Sequence, residues 1–377
     1  MIPVETDSEH GTQTFQLFDD RRPSDNIYGE QPYSSPTGDR IAVRHYSEAE
    51  MNGGLSVLDL KDGSLHPILT QEPCFPAFHA WGKHIYYQEE ARDVLVLKRC
   101  HYQTLDKDEV LVLPKVDGQF SYGTVSPNER FYAVNVHGDD KSSLLLLIDL
   151  SNGNERVLTA SSDQFFKHEQ FSLDGRNRIL IQANSADVSV INLGIVDVEK
   201  QDIDWLPVDA PPLKPIGRWP GGDRHTPRCT GHEAWIGQTE RVFLSTGYDE
   251  GHGTNIWSAA STDTVPTTVC KTPHRFNHVS VSRCGNFWIA DTPSEEGVPI
   301  YIGSFRSGVY SRLVYSRTRH DGKQWSHTHP YLTANNRWLI FTSNRSGRPQ
   351  VYGTRIQESF LADLNQSGKQ ENLEDSC

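Results

Sequence analysis

Residues 122–135 read YGTVSPNERFYAVN, and this phrase decides the fold because it recurs along the chain. It opens on a polar residue, passes through a short strand and a turn, and ends in a run of alternating β-branched and aromatic residues. Five further copies share the pattern, at 31–44, 168–182, 232–245, 278–291 and 329–343. A weaker copy lies at 78–90. A repeat spaced by roughly 45–60 residues is typical of an array of similar supersecondary units.

Most copies continue into a further strand that ends in a turn dipeptide. The D-G, N-G and S-G pairs within 55–69, 144–158 and 300–314 are hairpin signals between runs of period two. Four short strands per repeat predict one blade of a β-propeller, so seven copies predict an all-β, seven-bladed β-propeller. A tandem of sandwich domains would need a linker, and the Pro-rich stretch 209–222 lies inside the repeat series. We therefore predict a single propeller domain over residues 1–377.

The two ends of the chain carry separate predictions. The last copy stops after about three strands, near residues 353–357, whereas 12–20, TQTFQLFDD, reads as a strand ahead of the first complete repeat. We predict that this strand completes the last blade and closes the ring, which removes the open sheet edges. The hydrophilic tail 365–377 is predicted to be disordered.

Composition excludes several classes of protein. The hydrophobic content of 36% supports a packed core, and the net charge of −13 argues against a nucleic-acid-binding protein, which needs a basic face. No apolar run approaches the roughly 18–20 residues that span a bilayer, and the N-terminus lacks a secretory leader pattern. The six cysteines form no C-x-x-C pair. We expect free thiols in a reducing cytoplasm.

The repeats place one equivalent residue of each blade at the central channel. The inner strand of a blade lines this channel, so the first residue of each repeat faces the channel mouth. The six well-formed repeats supply, in this position, Gln31, Tyr122, His168, His232, His278 and His329. The chain has only 16 histidines among 377 residues, so four in six equivalent positions exceed chance. We predict a histidine-rich functional site there, with Tyr122 and Gln31 as candidate substrate-binding residues.

The sequence QWSHTHP at 324–330 adds two side chains to this site. His327 lies two residues before His329 on the same face of an extended chain, and Gln324 is within reach if 324–326 forms a turn. With His278 from the adjacent blade, this set of three imidazoles and one amide suits a catalytic divalent ion. The alternative is a cationic histidine cluster that holds an anion directly.

The pattern resembles the oligogalacturonate lyases, a family of seven-bladed uronate lyases. The resemblance rests on QWSHTHP with the following FTSNRSGRPQVY, on His278 in NHVSVSRCGNFWIAD and on His232 in GHEAW. It implies that His278, His327, His329 and Gln324 hold a manganese ion and that His232 is the general base. The implied reaction is β-elimination on an acidic, 4-linked oligouronate, in which His168 binds substrate or protonates the leaving group.

One departure from the family concerns an arginine. The family has one about a strand before the base histidine, where it helps to neutralise the substrate carboxylate, but residues 184–199 contain none. Arg224 and Arg228 are the candidates to replace it from a loop. Three alternatives stay open: a lyase for a different uronide, a non-catalytic WD40-like binding or scaffold module, and a sugar hydrolase or isomerase that uses the same metal.

Overall fold

The computed structural model describes residues 1–46, 53–70, 75–91, 94–139, 142–209, 211–216, 227–319 and 324–366. These residues form seven antiparallel sheets, which are the blades of a closed propeller, as predicted. The strands of each blade are given from the innermost outward. Blade 1 consists of Ser24–Asp25, Arg40–His45, Leu55–Asp59 and Leu65–Leu69, and blade 2 of Phe75–Pro76, His84–Ala91, Val94–His101 and Lys107–Val112. In blade 3 the short strands Gln119–Phe120 and Thr124–Val125 are both innermost, followed by Phe131–His137, Ser143–Asp149 and Glu155–Ser161.

The other four blades follow in chain order. Blade 4 consists of Gln164–Phe171, Arg178–Ser185, Ile191–Asp197 and Ile203–Trp205. Blade 5 consists of Cys229–Trp235, Val242–Asp249, Thr254–Ala259 and Thr267–Thr268, and blade 6 of Val279–Val281, Phe287–Asp291, Pro299–Ser304 and Tyr310–Tyr315. Blade 7 is Tyr331–Leu332, Trp338–Ser343, Gln350–Arg355, Gln13–Gln16, Ile2–Thr6. No helix among the described residues is long and apolar enough to cross a membrane.

The hydrophobic core is divided among the interfaces between blades. In the described chain, each pair of neighbouring blades encloses one cluster of buried apolar side chains, which makes seven clusters. Successive side chains of a strand point to opposite faces, so a blade that is buried on both faces needs consecutive apolar residues. The run LLLLI at 144–148 meets this need. The Pro-rich stretch is no linker, because Leu213 is fully buried between blades 4 and 5.

The predicted ring closure is confirmed. The strand Gln13–Gln16 pairs with Gln350–Arg355, with Phe15 opposite Gly353, and the hydroxyls of Thr14 and Thr354 lie 2.8 Å apart. The N-terminal segment also supplies a fifth strand, Ile2–Thr6, at the outer edge of this blade. The sequence did not predict that strand because IPVET is short and mostly exposed, so its pattern carries little hydrophobic signal.

A short helix, Glu358–Asn365, follows the last strand and was not predicted. It buries Leu364 and packs beside blade 6, where the hydroxyl of Ser304 donates to Asn365 Oδ1 at 2.7 Å. The predicted disordered tail begins on the last residue of this helix, and residues 367–377 lie outside the described residues. Eight residues with one buried side chain give too weak a periodic pattern for a sequence-based prediction.

Removing residues 12–20 should destabilise the whole ring, because this segment contributes a blade strand together with the buried side chains of Leu17 and Phe18. Truncating one fully buried leucine costs about 2–5 kcal/mol, so we expect the deletion to cost more than the Leu17→Ala variant. Urea unfolding followed by tryptophan fluorescence measures both. The matched control is Ile2→Ala, an exposed residue, with an expected change within about 0.5 kcal/mol. A deletion variant with the wild-type midpoint would contradict the prediction.

Candidate metal centre and catalytic site

The four histidines at the equivalent repeat positions come together at the channel. The ring of His278 lies 4.4 Å from that of His232 and 4.8 Å from that of His329, between centroids. Tyr28, from the first blade, stacks on His329 at 4.5 Å and meets His168 edge-on at 5.2 Å. Residues from blades 1, 4, 5, 6 and 7 therefore surround one site, at which the repeat analysis placed the four histidines but not Tyr28.

The inner strands reach this site through local breaks in their pairing. In blade 4 the register shifts between Lys167 and Gln170, and in blade 5 between Cys229 and Glu233. Such bulges re-aim a side chain and are common beside active sites. His168 and His329 have positive φ angles of 57° and 40°, a strained conformation for non-glycine residues that the surrounding contacts must hold in place.

A close approach of two backbones brings blade 1 into the site. A Cβ atom on Gly29 would lie 2.8 Å from the carbonyl carbon of His329, so only glycine fits there. The side chain of Asn26 donates to the carbonyl of His329 at 2.6 Å and fixes the same contact. This loop carries Tyr28 and Glu30 into the centre of the ring.

His278, His327 and His329 have the geometry of a metal-binding group. Their donor nitrogens all lie within 4.8 Å of one another, and His278 Nε2 is 3.1 Å from His327 Nδ1. Two nitrogens bound to one ion at about 2.1 Å lie about 3.0–3.4 Å apart, so these two already have ligand spacing. The backbone at Gln324 begins a one-turn 3-10 helix, Gln324–Ser326, which is the turn that the sequence analysis required. The side chain of Gln324 is outside what the structure describes.

Asp291 orients the first of these ligands. Its carboxylate accepts hydrogen bonds from His278 Nδ1 at 2.8 Å, from the backbone N–H of His278 at 2.9 Å and from the hydroxyl of Thr328. A carboxylate on Nδ1 fixes the tautomer, so that Nε2 carries the lone pair. Metal-bound histidines characteristically have such a partner on the second nitrogen. The sequence analysis did not identify Asp291.

The electrostatics favour a metal over a bound anion. Burial, followed by the neighbouring imidazoles, holds the pKa of His329 well below its usual value. A neutral imidazole is a metal ligand, whereas an anion would need imidazolium groups. Together with the 3.1 Å nitrogen separation, this supports the metal-binding interpretation over the cationic cluster.

His232 is paired with a buried carboxyl group from another blade. Its Nδ1 lies 2.6 Å from Glu30 Oε1, which joins blade 5 to blade 1. Burial lowers the pKa of His232 to about 4 and raises the pKa of the Glu30 carboxyl to about 8. His232 is therefore a neutral imidazole near pH 7, and in the tautomer that donates Nδ1–H to Glu30 Oε1 its Nε2 is left to accept a proton. The sequence analysis selected Gln31 and missed the adjacent Glu30.

His168 has contacts on both ring nitrogens. Nε2 lies 3.0 Å from the hydroxyl of Tyr28, and Nδ1 lies 3.4 Å from Glu233 Oε1. Burial lowers the pKa of His168 to about 3 and raises the pKa of Glu233 to about 7. A neutral imidazole is poorly suited to protonate a leaving group. This favours the substrate-binding role among the two that the sequence left open.

The structure describes three of the four other predicted site residues, namely Tyr122, Gln31 and Arg228. The hydroxyl of Tyr122 accepts a hydrogen bond from Arg44 at 3.1 Å, and Gln31 is buried directly after Glu30. The guanidinium of Arg228 donates to the carbonyl of Leu213. Arg224 falls outside the described residues.

Comparisons with known proteins bear on the fold. No protein-family model matches the chain, and no curated sequence matches it. A solved structure described as an oligogalacturonate lyase in complex with manganese superposes with a TM-score of 0.71 at 16% identity, covering 96% of this chain and 98% of its own. An oligogalacturonate lyase from Vibrio parahaemolyticus gives 0.68 at 16% identity, with the same coverages.

A third solved propeller structure is less similar. The β-propeller domain of Cps50 (Swd1) from Myceliophthora thermophila has a TM-score of 0.53 at 12% identity and covers 91% of this chain and 100% of its own. At these identities the comparisons establish fold alone. The chain is thus a seven-bladed propeller that is similar, over nearly its whole length, to oligogalacturonate lyases.

Proposed function

We propose that this protein is a metal-dependent lyase that cleaves 4-linked hexuronate oligosaccharides, such as oligogalacturonate, by β-elimination. The observation that carries the proposal is the position of the His232–Glu30 pair, with the His232 ring 4.4 Å from that of His278 in the three-histidine group. The proposed general base and the proposed metal-binding group are thus neighbours.

The reaction needs two functions at neighbouring points. The proton on C5 is weakly acidic because the charge left on its removal must be stabilised on the adjacent carboxylate. A divalent ion such as Mn²⁺, held by His278, His327, His329 and Gln324, would act as a Lewis acid on that carboxylate. His232 Nε2 takes the C5 proton, the C4–C5 double bond forms and the C4–O bond breaks. The departing glycosidic oxygen then gains a proton.

The surrounding residues orient these groups. Glu30 holds the His232 ring by its Nδ1, and Asp291 holds His278 in the same way. We assign His168 and the hydroxyl of Tyr28, which lie 3.0 Å apart, to hydrogen bonds with sugar hydroxyls of the substrate. Tyr122 and Gln31 complete the proposed substrate-binding residues, and Arg224 and Arg228 stay candidates for a contact to the substrate carboxylate.

A non-catalytic scaffold would not need buried carboxyl–imidazole pairs at its axis. Such pairs are costly to bury, because burial penalises the charged forms of both groups.

We also propose the reducing cytoplasm as the compartment, since the four described cysteines, Cys100, Cys229, Cys270 and Cys284, are free thiols.

A uronide panel tests the proposal. The purified protein is incubated with Mn²⁺ and with digalacturonate, trigalacturonate or other 4-linked uronides, and the ultraviolet absorbance of the conjugated product is followed. We expect product with at least one uronide, loss of the signal on chelation and its return on adding Mn²⁺. The matched negative substrate is a neutral 4-linked galactose disaccharide. Absence of product across the panel, together with absence of bound metal by elemental analysis, would overturn the proposal.

A further inference from the structure

Hydrogen bonds anchor the segment of the chain that carries His327. This segment leads from the last strand of blade 6, Tyr310–Tyr315, to the inner strand of blade 7, Tyr331–Leu332. The hydroxyl of Thr318 donates to the carbonyl oxygen of Ser326 at 2.8 Å, and both residues are buried. The bond therefore joins two parts of the segment and ends on the residue that directly precedes His327.

The carbonyl group of Ser326 controls the direction of the next residue. A peptide unit is planar and includes the carbonyl of one residue together with the N and Cα atoms of the following one. A donor on this oxygen therefore fixes the plane from which the side chain of His327 departs. His327 Nδ1 lies 3.1 Å from His278 Nε2. Because two nitrogens on one ion must keep about that spacing, a rotation of the plane would move one ligand away from the other.

Asn344 holds the backbone beside Thr318. It lies in the loop between the second and third strands of blade 7, and its amide makes two hydrogen bonds to the backbone of Arg319. Oδ1 accepts from the N–H at 2.7 Å, and Nδ2 donates to the carbonyl at 2.8 Å. On the other side of Thr318, the hydroxyl of Ser343 donates to the carbonyl of Ser316 at 2.7 Å. Blade 7 thus fixes the chain on both sides of Thr318.

The hydroxyl of Thr318 has one proton and two oxygen atoms near it. The carbonyl oxygen of Ser326, at 2.8 Å, is a better placed acceptor than Asn344 Oδ1, at 3.3 Å. Asn344 Oδ1 already accepts from the N–H of Arg319 at 2.7 Å. The proton of the Thr318 hydroxyl is therefore directed to Ser326.

Hydrogen bonds matter here because the segment borders an open cleft. The cleft has a volume of about 660 Å³, and its lining includes Arg317, Thr318, Arg319 and Asn344. Close packing fixes side chains in the interior of a protein, but an open cleft supplies little of it. The position of the segment on this side therefore depends on the polar contacts of Thr318 and Asn344.

The other two histidines of the metal-binding group have anchors of the same kind. Asp291 accepts a hydrogen bond from His278 Nδ1 at 2.8 Å, and Asn26 donates to the carbonyl of His329 at 2.6 Å. We propose that Thr318 is the positioning residue for His327, and that Asn344 holds it in place. This inference rests on the metal-binding group of the proposed function and deepens it.

The test measures metal affinity and does not depend on turnover. Mn²⁺ is titrated into the metal-free protein in a calorimeter. Thr318→Val keeps the shape of the side chain but lacks the hydroxyl, so the Kd should rise by about 10–100-fold, the range for a lost partner of a metal ligand. Thr318→Ser keeps the hydroxyl and should restore most of the affinity. Thermal unfolding of the metal-free proteins checks that each variant is folded.

The matched control is Thr12→Val, which makes the same substitution elsewhere between blades 6 and 7. It removes a buried hydroxyl that donates to the carbonyl of Leu313, and it should leave the Kd unchanged. Asn344→Ala should raise the Kd in the same direction as Thr318→Val. The double variant of Thr318 and Asn344 should lose less affinity than the two single losses together, because both side chains act on one segment.

A double-mutant cycle separates positioning from a general loss of stability. If Thr318 acts through His327, then Thr318→Val should weaken binding little further in a His327→Ala background. Zn²⁺ is the ion for this cycle, because nitrogen donors bind it more tightly than Mn²⁺.

Equal losses in the two backgrounds, or a wild-type Kd in Thr318→Val, would overturn this inference and leave the lyase proposal standing. A wild-type protein that binds Mn²⁺ but turns over no uronide would overturn the proposed function alone. A wild-type protein that binds no divalent ion would overturn both.

Discussion

Replacing His232 by alanine should abolish turnover of the uronide while the protein keeps its metal. His232 supplies the neutral imidazole that takes the C5 proton, and a general base contributes typically about 10²–10⁴-fold to the rate. The three-histidine group is left intact, because Asp291 and not His232 orients His278. Steady-state assays give the loss in kcat, and elemental analysis after dialysis gives the metal content.

The variant Glu30→Ala tests whether the base needs the carboxyl group that orients it. It leaves His232 in place but removes the 2.6 Å contact that fixes Nδ1. We expect kcat to fall by at least about tenfold with a smaller change in KM, because an unsupported imidazole samples the wrong tautomer and orientation.

If His232→Ala lost its metal and retained activity after reloading, the assignment of His232 as the base would be wrong.

The second large effect is expected from His329→Ala, which should lose the metal and, with it, the activity. The variant removes one of three imidazoles whose donor atoms lie within 4.8 Å of one another, and it also removes the ring on which Tyr28 stacks. In the wild-type protein, Mn²⁺ at 100 times its Kd should add about 2.7 kcal/mol to the free energy of unfolding. This stabilisation should vanish in the variant.

Two further variants distinguish the metal ligands from the residues around them. Asp291→Asn keeps the imidazole but weakens its orientation, so the metal affinity should fall by about 10–100-fold without being lost. His168→Ala lies outside the metal group and should keep both the metal content and the Mn²⁺-dependent stabilisation. Metal loss in His168→Ala with retention in His329→Ala would mean that the two roles are exchanged.

The sequence by itself determined the architecture and the list of histidines. Seven copies of one strand phrase cannot bury their apolar faces singly, so stacking them into a ring follows from the repeat alone. Because each repeat places its first residue at the channel mouth, His168, His232, His278 and His329 could be assigned to one site without coordinates. Ring closure by Gln13–Gln16 followed from the incomplete last repeat.

Asp291, which the sequence analysis missed, could have been predicted from the register of its hairpin. Val279 pairs with Ala290 in the hairpin of blade 6, and the same register puts His278 opposite Asp291. A register drawn for each hairpin would therefore have predicted the carboxylate that orients His278.

Only the tertiary structure decided the partners that set the chemistry. Glu30 reaches His232 across 202 residues of sequence, through a loop whose positive φ at Ile27 and close approach at Gly29 follow no repeat. Periodicity specifies which residues share a face of a strand. The contacts between blades, and the burial that moves each pKa, exist only after the ring closes.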